Sequence, residues 1–305
     1  MKVKSLSDPK SAKAHIDFLQ HAGIPYTLKV SNYTLEIVSD IINIQFLHSM
    51  RSNRCFAAYA KVKSNVTKHE VPKVKKHELE YFMHDFREDY YADHAINIDI
   101  KSAYPTVLLN DGYITQETFD YLSKIPKLDR LAAIGMLASK KYVFNYGGNG
   151  ELLNFEKITS PLENFFFHCV KRVGDIMNDL KKLSNADYLF TWVDGIYLKT
   201  NDEYLYDIAP HLEANKFKYS VDIIHNFRVK VLQGKLKIDF WKEDKTKDDR
   251  EICKQKFFVI PPTPSMFAND IINFLTGQNF DDEKNSRTTP ALLNAAEVRN
   301  VHGNK

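Results

Sequence analysis

The run INIDIKSAYP, Ile96 to Pro105, constrains the fold more than any other stretch of this chain. INIDI is short and nearly all apolar, the pattern of a strand buried in a sheet. Tyr104-Pro105 breaks it at once, because the residue ahead of a proline is driven out of the helical region. A carboxylate, Asp99, therefore stands at the end of a buried strand with an aromatic ring just beyond it. About ninety-five positions later YLFTWVDGIYL, Tyr188 to Leu198, reads as a tight β-hairpin with Asp194 at its tip. Two aspartates so placed can hold a pair of divalent cations, the minimum equipment for in-line phosphoryl or nucleotidyl transfer.

Length and composition bound what surrounds these acids. A chain of 305 residues, 44% hydrophobic and 12% aromatic, can bury a full core and suggests about two domains. The net charge of +3 is modest, so any nucleic-acid contact must come from local basic surface. Cys55, Cys169 and Cys253 are far apart, which argues against a disulfide framework or a zinc knuckle and for a reducing compartment. No apolar run has signal-peptide or membrane-spanning character, so the expectation is a cytoplasmic protein without a membrane partner.

Residues 1–90 read as a small α/β domain. Ser5 or Ser7 caps an amphipathic helix through His21, Gly23 ends it, and YTLKV, YTLEIVS and INIQFLH follow as strands with a turn at Ser31-Asn32. A basic run comes next, Lys61, Lys63, Lys68, Lys73, Lys75 and Lys76, with Arg51 and Arg54 upstream. Such a run serves either as a solvated face or as phosphate contacts. Residues 72–91 read as a charged helix or linker.

Residues 91–241 carry a richer pattern. Helices are expected over Gln116 to Lys124 and Leu128 to Lys140, parted by Pro126, then a strand in KYVFNY and a turn at Gly147 to Gly150. That turn lacks the lysine and Ser/Thr of a phosphate-binding P-loop. A long core helix starts at Ser160-Pro161, with His168 packed or at its surface. The hairpin follows, then a helix over Glu203 to Glu213 and strands in FKYSV, FRVKVLQ and KLKIDFW. Helices covering one face of a mainly antiparallel sheet make this an α+β domain. Residues 242–305 read as polar, with a short helix from Ser265 to Leu275 and a mobile tail over 281–305.

The central pattern resembles the palm and fingers of a family B DNA polymerase. Asp99, Ser102, Tyr104 and Pro105 match the first palm motif of that family, an aspartate, two variable residues, serine, a variable residue, tyrosine and proline. The fingers motif survives only as Arg130 ahead of Ile134-Gly135-Met136-Leu137-Ala138. The third motif, usually Asp-Thr-Asp-Ser, stands here as Trp192-Val193-Asp194-Gly195, so its first aspartate is replaced while its second is kept. Gly195 suits a hairpin tip, where φ is often positive. Lys235, Lys237 and Phe240 sit where the family has a basic-aromatic strand that holds the primer-template duplex.

The resemblance implies a set of roles. Asp99 and Asp194 are the catalytic, metal-binding pair for two Mg²⁺ ions, with Mn²⁺ a substitute and the Ile100 carbonyl an extra ligand. Ser102 and Tyr104 face the incoming dNTP, the Tyr104 ring excluding a 2′-hydroxyl; its structural alternative is packing against Pro105. Arg130, with Lys127 and Lys140 or Lys141 as helpers, meets the triphosphate. Lys235, Lys237, Lys73, Lys75 and Lys76 hold DNA. The reading that follows is a small polymerase of a phage or mobile element, with short fingers (about 114–146), a reduced thumb in 242–305 and no proofreading exonuclease. Its N-terminal domain would handle template, start strands without a primer, or accept a protein primer or a single-stranded-DNA-binding partner. The competing readings are a metal-dependent nuclease and an inactive palm that only binds nucleic acid.

Overall fold

The computed structural model describes residues 2–5, 9–31, 34–47, 52–75, 90–184, 187–199, 203–232, 235–243 and 251–259. The expected helix at 265–275, the tail at 281–305 and Lys76 lie outside them. The protein is α+β, and its described residues divide into two compact units. One draws on 1–60 and 127–163, the other on 61–126 and 164–263. This division differs from boundaries at 90 and 241, and strand pairing is the reason.

In the first unit the elements are β1 (Lys2–Ser5), α1 (Pro9–His21), β2 (Tyr26–Ser31), β3 (Thr34–Val38), β4 (Asn43–Leu47), α2 (Asn53–Val66, which runs on into the second unit), then α5 (Lys127–Gly135), β6 (Lys140–Tyr146) and β7 (Leu152–Thr159). Their sheet runs β1-β4-β3-β2-β6-β7, antiparallel except for the β1/β4 pair. Ala12, Ile16 and Leu19 of α1 recur at helical spacing and are fully buried with Leu28, Val30, Leu35, Ile37, Phe46 and Phe144. KYVFNY, expected within a fingers insertion, pairs instead with β2, residue 26 opposite 146 through 31 opposite 141. The rings of Tyr26 and Tyr146 stack at 5.0 Å. Gly147 to Gly150 is the β6/β7 turn; a Cβ on Gly148 would meet the Gly23 carbonyl oxygen at 2.1 Å, so only glycine fits there.

Helix α2 was hidden by its lysines. Cys55, Ala58, Val62 and Val66 are fully buried at helical spacing, with basic residues between them. The helix expected over 128–140 is shorter: α5 ends at Gly135, a 3₁₀ turn covers Met136–Ala138, and Lys140 begins β6.

The second unit holds β5 (Tyr90–Ile100), α3 (Ala103–Asn110), α4 (Gln116–Lys124), α6 (Glu163–Ser184), β8 (Tyr188–Trp192), β9 (Gly195–Lys199), α7 (Glu203–Ala214), β10 (Tyr219–Leu232), β11 (Lys235–Glu243) and β12 (Glu251–Val259). Its sheet, β12-β11-β10-β5-β9-β8, is antiparallel throughout. Strand β5 lies inside it, flanked by β9 and β10. Ile96, Ile98 and Ile100 are buried on one face of β5. On the other, Ala95 joins the cluster of Tyr197, Phe190, Phe227 and Phe240. Two expected strands, FKYSV and FRVKVLQ, are one strand, β10, which bulges between His225 and Arg228 with Asn226 at φ 52°. Strand β12 falls in the stretch read as polar. It is an edge strand, where lysines are the ordinary composition.

Candidate active site

The two aspartates, remote in sequence, meet at one end of this sheet. Asp99, the penultimate residue of β5, is directly opposite Gly195, the first residue of β9. Such a pair sits about 5 Å apart. Asp194 immediately precedes Gly195 in the two-residue β8/β9 turn, and its backbone carbonyl accepts the Ile100 amide at 2.8 Å. The Lys101 amide donates to the Lys218 carbonyl at 2.7 Å, so the end of β5 is held from both sides. Both carboxylate residues are half-buried.

The turn has an unexpected conformation. Positive φ occurs at Val193 (51°) and not at Gly195. A β-branched side chain in the left-handed region costs about 1–2 kcal/mol, so the hairpin holds local strain one residue before Asp194. A second left-handed residue, Ser102 at φ 53°, turns the chain from β5 into α3 as its N-cap, with its carbonyl accepting the Thr106 amide at 2.9 Å. Asp99 thus remains in the strand.

Tyr104, in the first turn of α3, is 6% exposed. Its ring meets Phe166 of α6 edge-on at 5.7 Å, and the Cys169 thiol lies 3.7 Å from its carbonyl. Among the described residues its hydroxyl has no hydrogen-bond partner. Burial first, then the Asp194 carboxylate and the Cys169 thiol, push the Tyr104 phenol well above its ordinary range, which keeps it neutral. Tyr104 thus lies within electrostatic reach of Asp194. Burial, and then Asp111, push the Cys169 thiol up as well, so it is inert as a nucleophile.

Carboxylate oxygen is the donor type that suits a hard divalent cation. Mg²⁺ keeps several waters and takes one or two carboxylates plus substrate phosphates. Asp99 and Asp194 supply that number, with Ile100 between them in the bonded framework. Among the described residues no group of three or more His, Cys, Asp or Glu side chains forms a denser ligand set. On the same face of β5 as Asp99, the buried Asn97 Oδ1 has no partner among the described residues, and Ser220 of β10 stands directly across from Asp99. Neither was foreseen. Ser220 is distant in sequence, and only strand register brings it there.

The remaining candidates lie on several elements of the two units. Lys127, Arg130 and Lys140 belong to the first unit, whereas the aspartates belong to the second. Burial in α5 lowers the Arg130 pKa. Lys73 and Lys75 are exposed. Lys235 opens β11, its backbone paired with Leu232 and Val259. Lys237 is ion-paired with Asp239 at 3.1 Å, and because the bulge in β10 shifts the alternation by one residue it lies on the sheet face opposite Asp99. Phe240 is buried in the aromatic cluster. Also among the described residues, no helix is long and apolar enough to cross a membrane. No model of a known protein family matches the chain, and no curated protein matches it.

Proposed function

We propose that this protein is a template-directed DNA polymerase that joins dNTPs to a primer 3′-hydroxyl at Asp99 and Asp194. One observation carries the reading: the Ile100 amide bonds the Asp194 carbonyl, which holds the backbones of two acids ninety-odd residues apart side by side, one near the end of β5 and the other in the β8/β9 turn. The second unit is α+β with an antiparallel sheet, which supports the reading of a palm. Bound Mg²⁺ would supply charge stabilisation to the attacking and leaving oxygens. The chain's own part is positional. Asp99 and Asp194 stand at the sheet end with Ser102 in the turn beside them, and Tyr104, buried against Phe166, supports that turn from within rather than meeting the sugar. Mn²⁺ would supply the same chemistry as Mg²⁺, held by Asp99 and Asp194. DNA contacts from Lys73, Lys75, Lys235 and Lys237, and triphosphate contacts from Lys127, Arg130 and Lys140, belong to the same proposal.

The test is incubation of the purified protein with Mg²⁺, a primed template and dNTPs, beside a template-only reaction and a labelled duplex without dNTPs. Extension of the primer is the expected result. Degradation of the duplex would make the protein a nuclease. Retention of DNA with neither product would leave only a binding module, and both outcomes would overturn the proposal.

A further inference from the structure

The face of β5 and β10 opposite Asp99 carries a second group of ligating atoms. His94 and His225 are directly across from one another in the antiparallel register, and alternation from Asp99 puts His94 on the other side of the sheet. Their Nδ1 atoms are 3.1 Å apart and the ring planes cross at 85°. His94 is exposed and His225 half-buried, so solvent reaches the pair. It sits beside the bulge where Asn226 takes a positive φ.

Two imidazoles this close can share one proton or one metal ion. Metal–nitrogen bonds of about 2.0–2.1 Å at tetrahedral or square-planar angles put two ligating nitrogens about 2.9–3.4 Å apart. The observed separation falls inside that window. We propose that His94 and His225 form a two-histidine chelate for a late first-row divalent cation, Cu²⁺, Ni²⁺ or Zn²⁺. Water completes the coordination, and the ion clips β5 to β10 at the bulge. Imidazole nitrogen selects these ions over Mg²⁺, which prefers oxygen, so this site is chemically distinct from the aspartate pair. Two backbone strands hold the ligands in place before the ion arrives, which limits the entropy lost on binding. Metal binding by the two histidines requires no polymerase activity.

Trp241 of β11 is directly across from His225, 40% exposed, and one of two tryptophans in the chain. It serves as the reporter. The full chain is titrated with CuCl₂, NiCl₂ and ZnCl₂ in a non-chelating buffer, with tryptophan fluorescence and the thermal midpoint followed together. Cu²⁺ should quench saturably at one equivalent, and each of the three ions should raise the midpoint, because an ion bound only by the folded state stabilises it. His94→Gln and His225→Gln should each weaken binding by at least about tenfold and abolish the midpoint rise. Trp241→Phe should keep the rise and lose most of the quench. Wild-type-like binding in either histidine variant overturns the proposal. Should a glutamine variant fail to fold, the electron paramagnetic resonance spectrum of the Cu²⁺-loaded wild type decides. Two-nitrogen ligation supports the chelate, and oxygen-only ligation refutes it.

Discussion

The Ile100 amide donates to the Asp194 carbonyl across 2.8 Å, and this single backbone bond ties the end of the central strand to the tip of a hairpin. It makes Asp99 and Asp194 neighbours through main chain, so their spacing does not depend on long, adaptable side chains.

Asp99→Asn and Asp194→Asn should each lower nucleotide incorporation by at least about a hundredfold, since a lost metal ligand is worth several kcal/mol in the transition state. EDTA should stop incorporation by the wild type, and Mg²⁺ or Mn²⁺ should restore it. Circular dichroism of both variants should match the wild type. Primer-extension rates near wild type in either variant would remove the site assignment.

Val193→Gly should stabilise the protein by up to about 1 kcal/mol, because relief at φ 51° outweighs the added freedom of the unfolded chain. Urea unfolding reads the change. A clear loss of stability would mean that the valine side chain contributes more by packing than it costs by strain.

Tyr104→Phe should change stability by less than about 1 kcal/mol, since the hydroxyl it removes has no partner among the described residues. Tyr104→Ala, which empties the space against Phe166, should cost about 3–5 kcal/mol. The comparison of the two in denaturant separates the ring's packing from its hydroxyl.

Alkaline pH gives a further check. The Tyr104 phenol binds its proton more tightly in the folded chain than in the unfolded one. Its stability contribution is therefore complete below the unfolded value near about 10, and it falls as pH rises from there towards the folded value. The slope from this one group is about 1.4 kcal/mol per pH unit. Tyr26 and Tyr113 are shifted the same way, chiefly by burial, so the diagnostic quantity is the difference between wild type and Tyr104→Phe. Unfolding midpoints of the two should move apart between about pH 10 and 11, the wild type losing more.

Local pattern made several elements legible. The alternation in YTLKV and YTLEIV gave β2 and β3, the 3.6-residue repeat from Phe165 to Leu180 gave α6, and the apolar flanks of Val193-Asp194 gave the β8/β9 hairpin. Helix α2 escaped because four small or branched apolar residues are a weak stripe among lysines. Strand β12 escaped because an edge strand needs little apolar content once β11 supplies its hydrogen bonds. Helix α3 is not legible because Pro105, which breaks the strand pattern, also suits the first turn of a helix, where its missing amide costs nothing. The positive φ fell on Val193 and not on Gly195, since the turn had to fit the twist and register of its strands.

Sequence by itself determined that Asp99 ends a buried strand and that Asp194 sits at a hairpin tip, because both depend on residues within a few positions of the acid. Only the tertiary structure decided that these two ends meet, that β6 joins β2, and that Lys237 lies on the sheet face away from Asp99. Those facts are matters of strand order and register between segments far apart in the chain. Backbone hydrogen bonds, which are blind to side-chain identity, leave them to be settled by which apolar faces can be buried together.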